Sequence, residues 1–140
     1  MNFKDIANVS GKPGLYRVLK PTRSGVILES LDEKKTKFVA GMSSRVSILS
    51  DISIYTLTEE GAEPLESVMK KIEAQYQGDT GIDASSSDAE LRAFLKSILP
   101  EFDEARVYTS DIKKLNAWYQ IIRKHAPEVL QDTPFEEKEA

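Results

Sequence analysis

A single histidine, His125, and the absence of cysteine from 140 residues bound the chemistry open to this chain. Thiolate nucleophiles, thiolate metal centres and disulfides are excluded outright, and so are sites built from several imidazoles. A Ser-His-Asp triad would depend on His125, whose expected place in the last turn of a helix suits it to the negative helix end instead. The chain has no Gly-x-Ser-x-Gly elbow, no Gly-x-Gly-x-x-Gly fingerprint and no phosphate-loop spacing. Carboxylates are plentiful, and Asp103 with Glu104, or Asp32 with Glu33, has the composition of an acid–base pair. Adjacent positions on a helix or strand point apart, however, so a solvated face or a turn is the simpler reading. Asp79, Asp83 and Asp88 share one small polar segment but lack the alternating oxygen ligands and closing glutamate of an EF-hand loop. The sequence therefore assigns no catalytic residue, no cofactor and no metal ligand.

The positive signal is a basic cluster. Arg17, Lys20, Arg23, Lys34, Lys35 and Lys37 fall on three consecutive expected strands or their turns, where antiparallel pairing brings several together. With Tyr16 they form the candidate binding surface, since cations suit phosphates and an aromatic ring can stack on a base. Three readings of this cluster stay open: edge protection, which lysine commonly provides against edge-to-edge pairing; docking of an acidic part of the same chain; and contact with RNA or DNA. Phe38 is assigned to the core. Trp118 and Tyr119 cannot both enter one narrow helical seam, so one of them either marks a protein contact or packs between the two halves. Asn8 to Gly14 reads as a lead-in loop.

These residues need elements to hold them. From Gly14 to Lys20, from Val26 to Leu31 and from Lys35 to Ala40 the pattern alternates, with Pro21 to Gly25 and Asp32 to Lys34 as turns. Arg45 to Leu49 and Asp51 to Tyr55 resume the alternation. Five short strands on tight turns bury a face best by curling, so the expectation is a small SH3-like five-stranded β-barrel over residues 1–58. A three-helix domain is expected over 62–130. Leu65, Val68, Met69, Ile72 and Tyr76 recur at helical spacing behind Pro64 and stop at Gly78. Asp79 to Ser87 reads as a mobile linker, and Ser87 with Glu90 forms a capping box for a second helix ending at Pro100. Ser110 is expected to open a third helix that runs to His125. Phe102 and Arg106 to Tyr108 link the last two, and residues 131–140 read as a disordered tail.

Charge divides at the same place. Residues 1–58 hold 9 basic and 5 acidic residues, a balance of +4, and residues 59–140 hold 10 and 18, a balance of -8. Apolar residues are 40% and charged residues 30% of the chain. No apolar run approaches the roughly 18 residues of a membrane helix, and Met1 to Ile6 lacks the apolar core of a signal peptide. A cytoplasmic location without membrane contact is expected.

The runs Val9 to Tyr16, Gly25 to Asp32 and Asp51 to Thr56, followed by Arg106-Val107-Tyr108-x-Ser110-Asp111-Ile112-Lys113-Lys114, resemble a small uncharacterised Bacteroidetes-type bacterial family. The resemblance covers the chain to about Ala126. It implies an N-terminal SH3-like module and a C-terminal helical segment, and supplies no functional residues. The fold class expected is α+β, and the function is that of a non-enzymatic interaction module. Protein binding, with self-association as one form of it, comes first, and RNA or DNA binding through the basic face of the barrel is the alternative.

Overall fold

In the computed structural model, which describes residues 1–131, a short 3₁₀ turn at Phe3–Asp5 leads directly into a strand, β1 (Ile6–Val9). Four further strands complete an antiparallel sheet: β2 (Tyr16–Thr22), β3 (Gly25–Ser30), β4 (Lys37–Gly41) and β5 (Val46–Ile48). Their spatial order is β4-β3-β2-β1-β5. Strand β1 pairs Ile6 with Arg17 on one side and Ala7 with Ile48 on the other, so it lies inside the sheet.

Three expectations about the sheet do not hold. The residues from Asn8 were read as a lead-in loop, yet Asn8 and Val9 finish β1. Three of the four residues of this strand are buried, so it lacks the polar alternation that marks a half-exposed strand. The fifth strand was placed at Asp51 to Tyr55, but β6 (Ser53–Tyr55) leaves the sheet and pairs with β7 (Ala62–Pro64) in a separate hairpin. The barrel is also not closed, because β4 and β5 end the sheet on opposite edges without pairing to each other. The sheet curls part of the way. Val9, Tyr16, Leu28 and Ala40 form a small buried cluster on its inner side, with Val26, Phe38 and Val46 packed against them, so both edge strands contribute to one apolar patch.

Three helices follow: α1 (Leu65–Tyr76), α2 (Asp88–Ile98) and α3 (Thr109–His125). Helix α1 ends where Gln77 and Gly78 both take positive φ. A side chain at Gly78 would meet the Arg123 guanidinium at 2.7 Å, so glycine serves both the turn and the close approach of α3. Helix α2 opens on the expected box: the Ser87 hydroxyl accepts from the Glu90 amide at 3.1 Å, and the Glu90 carboxylate accepts from the Ser87 amide at 2.8 Å. Helix α3 is capped two residues earlier than expected, by Tyr108 in place of Ser110, with the Asp111 carboxylate accepting from the Tyr108 amide at 3.0 Å.

The segment read as a mobile linker is tied to α3. The Thr80 hydroxyl donates to the Asn116 side-chain oxygen at 2.9 Å, and the Asn116 amide donates to the Ile82 carbonyl at 3.2 Å. Asp83 turns inward on its own segment, accepting from both the amide and the hydroxyl of Ser85. The disordered tail expected over 131–140 falls, apart from Gln131, outside the described residues.

The main core draws on both halves. Phe3, Ile6, Leu15, Leu31 and Leu49 from the β-rich part join Leu65, Ile72, Leu95, Phe102, Leu115 and Ile122 in one continuous buried cluster. The hairpin serves as the joint. The Leu65 amide donates to the Ile52 carbonyl, the Asp103 amide to the Tyr55 carbonyl, and Thr56 bridges Phe102.

Candidate functional site

The cluster expected from the sequence is only partly assembled. Arg17, Glu29 and Lys37 sit opposite one another across β2, β3 and β4, in the register Arg17↔Glu29↔Lys37. One row along, Lys20 lies opposite Ile27, and Ile27 opposite Val39. Arg17, Lys20 and Lys37 are exposed on this outer face, with the Glu29 carboxylate standing between two of them. Arg23 occupies the β2–β3 turn, whereas Lys34 and Lys35 occupy the β3–β4 turn at the far end of β3, roughly 20 Å away at strand spacing. The Asp32 carboxylate organises that second turn by accepting from the Lys34 and Lys35 amides at 3.0 Å each. The Ser30 hydroxyl and the Lys35 amide hold its pKa below the usual carboxylate value.

Tyr16 does not belong to that surface. It is 8% exposed, on the inner side of the sheet, with its hydroxyl donating to the Pro13 carbonyl and its ring edge-on to Phe38 at 5.3 Å. An odd-even register puts Tyr16 and Arg17 on opposite faces, so the cations have no aromatic platform from Tyr16. Docking of the acidic helical half on the cations is not what joins the two halves either. Among the described residues one ion pair links them, Lys124 to Glu33 at 3.4 Å, and its polarity is the reverse of that expected.

A different arrangement emerges where the outer face of β1 and β5 meets β6 and α3. A cleft of about 360 Å³ opens there, at the lower end of the roughly 300–1,000 Å³ typical of ligand pockets. Its floor is apolar and reaches the main core at Ile52, Ile54, Leu95, Ile112 and Leu115. Tyr55 and Trp118 form its aromatic walls, and Asn8, Ser47, Ser53, Arg106, Asp111 and Lys114 its polar rim. The Arg106 guanidinium lies over the Tyr55 ring at 4.3 Å and 4.0 Å from the Asp103 carboxylate. The Lys114 ammonium stands 5.9 Å from the Trp118 ring centre. Tyr55 is 49% exposed at the cleft, and close by in the chain Leu57 and Tyr108 are 71% and 63% exposed.

The wall formed by α3 is held from behind. Tyr119 is buried, while its neighbour Trp118 is half-buried at the cleft, which resolves the conflict over the helical seam. The Tyr119 hydroxyl donates to the Glu73 carboxylate at 2.7 Å and accepts from the Gly78 amide at 2.9 Å, while Arg123 donates to the same Glu73 oxygen at 3.0 Å. Burial and the adjacent Glu73 carboxylate push the Tyr119 phenol up to about 12. His125 ends α3 and does not line the cleft. The sequence flagged Trp118 and Arg106 to Tyr108 one by one. It carried no sign that Asn8 and Ser47 would stand beside them, because those contacts join segments far apart in the chain.

Residues 52–122 match a family described as a domain of unknown function (DUF6852), more than half of the chain. The chain belongs to the DUF6852 family. Residues 3–49 match a second domain of unknown function, DUF5606. Most of the cleft is thus DUF6852 wall and floor, and Asn8 and Ser47 are the DUF5606 contribution, so the site lies on the seam between the two matched segments. A solution NMR structure from Bacteroides vulgatus, determined as a structural-genomics target, is 33% identical, with a TM-score of 0.67, and the alignment covers 89% of this chain and 88% of that one. These matches fit the uncharacterised Bacteroidetes-type family that the sequence resembles. No curated protein matches this chain. Among the described residues, no helix is long and apolar enough to cross a membrane.

Proposed function

We propose that this DUF6852 chain is a non-enzymatic, cytoplasmic interaction module that binds protein through the cleft between β6, α3 and the outer face of β1 and β5. The observation that carries this reading is an apolar cleft floor walled by the half-buried Trp118 and the exposed Tyr55, with exposed Leu57 and Tyr108 close along the chain to the lining residues Tyr55 and Val107. Contact surfaces are rich in tyrosine, tryptophan and arginine, and a few such anchors in a desolvated pocket supply most of the binding energy. Against catalysis stands the state of Asp111, the one carboxylate lining the cleft among the described residues: it accepts from a backbone amide and helps cap α3. The half-curled sheet, with β1 between β2 and β5, is read as an SH3-like module whose outer face helps to build the cleft.

Nucleic-acid binding is the second reading, supported by the exposed row of Arg17, Lys20 and Lys37. Affinity purification from the native cell, with and without nuclease, separates the two. Protein binding predicts partners that survive nuclease and are lost from a Tyr55→Ala, Leu57→Ser variant. Partners that vanish with nuclease, or that depend on Arg17, Lys20 and Lys37 instead, contradict it.

A further inference from the structure

Resting on the reading of the cleft as a protein-binding site, we propose that its occupant is an extended acidic peptide segment that places one large apolar side chain on the floor and a carboxylate at the rim. The rim carries two cations and one carboxylate. Asp111 is already engaged by the Tyr108 amide at 3.0 Å. Among the described residues, the only carboxylate within 4.0 Å of Arg106 is Asp103, at that limit, and Lys114 has no ion-pair partner. Both cations stand against aromatic rings, where they are held in place beside the apolar opening. A peptide bearing only apolar groups would leave the Lys114 ammonium without a carboxylate and Arg106 with Asp103 alone at 4.0 Å, and an anion without an apolar side chain would leave the floor of Ile52, Ile54, Leu95, Ile112 and Leu115 in water. The cleft volume suits one anchoring side chain, and exposed Leu57 and Tyr108, close in sequence to the lining residues Tyr55 and Val107, offer further apolar area to a longer occupant.

The chain contains one tryptophan, so the emission of Trp118 reports directly on occupancy. The probes are synthetic octapeptides of Gly and Ser with a central Phe flanked by two Glu, the same with two Lys, and the same with Ser in place of Phe. The full chain should give a saturable Trp118 shift with the Glu-flanked peptide. The Lys-flanked peptide should bind roughly tenfold more weakly, and the Ser-centred one should give no response. Lys114→Glu, an exposed change checked for folding by circular dichroism, should reverse the preference between Glu- and Lys-flanked peptides. Equal responses to both peptides, no response to either, or an unchanged preference in the Lys114→Glu variant would overturn the proposal. So would equally tight binding of a twelve-residue thymidine oligonucleotide or of hexanoate at this site. A nuclease-resistant partner that requires Tyr55 and Leu57, found alongside any of those results, would leave protein binding standing and remove only the acidic peptide.

Discussion

The inner side of the sheet and the junction between sheet and helices bury apolar surface in contrasting ways. On the inner side, four side chains from β1 to β4 close on one another, and the sheet needs no helix to cover that patch. At the junction, Ile6 and Leu49 pack into the same cluster as Ile72, Leu95 and Tyr119, so neither half completes the core without the other. The cleft lies at this junction, where the helices cover Ile6 but leave Asn8 and Ser47 beside an open space. The charged row on β2–β4 belongs to the self-sufficient region, and the aromatic cleft belongs to the shared one. The proposed binding site belongs to the second, because a composite site offers a shaped apolar floor and the outer sheet face does not.

The largest effect should come from Ile6→Ala. This fully buried side chain ties β1 to the shared core, and its loss should cost roughly 2–5 kcal/mol. Denaturant unfolding followed by Trp118 fluorescence, which reports on α3, should move to lower denaturant along with the far-ultraviolet signal. An unmoved Trp118 transition would mean that the helical part stands alone. Tyr119→Phe comes next. It removes the donor to Glu73 and leaves the Gly78 amide without its acceptor, at about 2 kcal/mol by the usual value for a hydrogen bond to a charged group. The same melt should show it, with α1 and α3 affected and the inner sheet patch intact by methyl NMR. Ser87→Ala should cost about 1 kcal/mol through loss of the α2 cap. A change confined to amide exchange near α2 would locate it.

The smallest effect concerns pH. Lys71 at 2.6 Å and the Ser67 hydroxyl hold the Glu63 pKa below its ordinary 4.5. A depressed carboxylate stabilises the fold above its unfolded pKa, and that contribution is lost as pH falls through the folded value. Melting temperature should therefore decline below about pH 4.5 more steeply in the native chain than in Glu63→Gln. Parallel curves would remove Glu63 as a source of acid sensitivity.

Local rules made the helices legible. Ser87 with Glu90, the spacing of Leu65 to Tyr76 and the stop near Gly78 each depend on residues within a turn or two, and the structure follows them closely. The hairpins β2–β3 and β3–β4 were legible for the same reason. Strand β1 was not, because burial at Ile6, Ala7 and Val9 erases alternation. Tyr16 and Arg17 were assigned to one binding surface for stacking and charge, although neighbours on a strand face opposite ways. Asp79 to Ser87 looked like a linker from its composition, and only Asn116, far along the chain, shows why Thr80 and Ile82 are held. The cleft was hidden most completely, since Asn8, Ser47, Tyr55 and Trp118 become neighbours only through the shared core.

The decisive measurement is amide chemical-shift mapping of the isotope-labelled chain, titrated with a partner captured in the presence of nuclease. The perturbed residues should gather at 53–57 and 106–118, with the Trp118 indole shifted and Arg17, Lys20 and Lys37 unmoved. Perturbations gathered on those three outer-face residues, with the Trp118 indole unchanged, would contradict it.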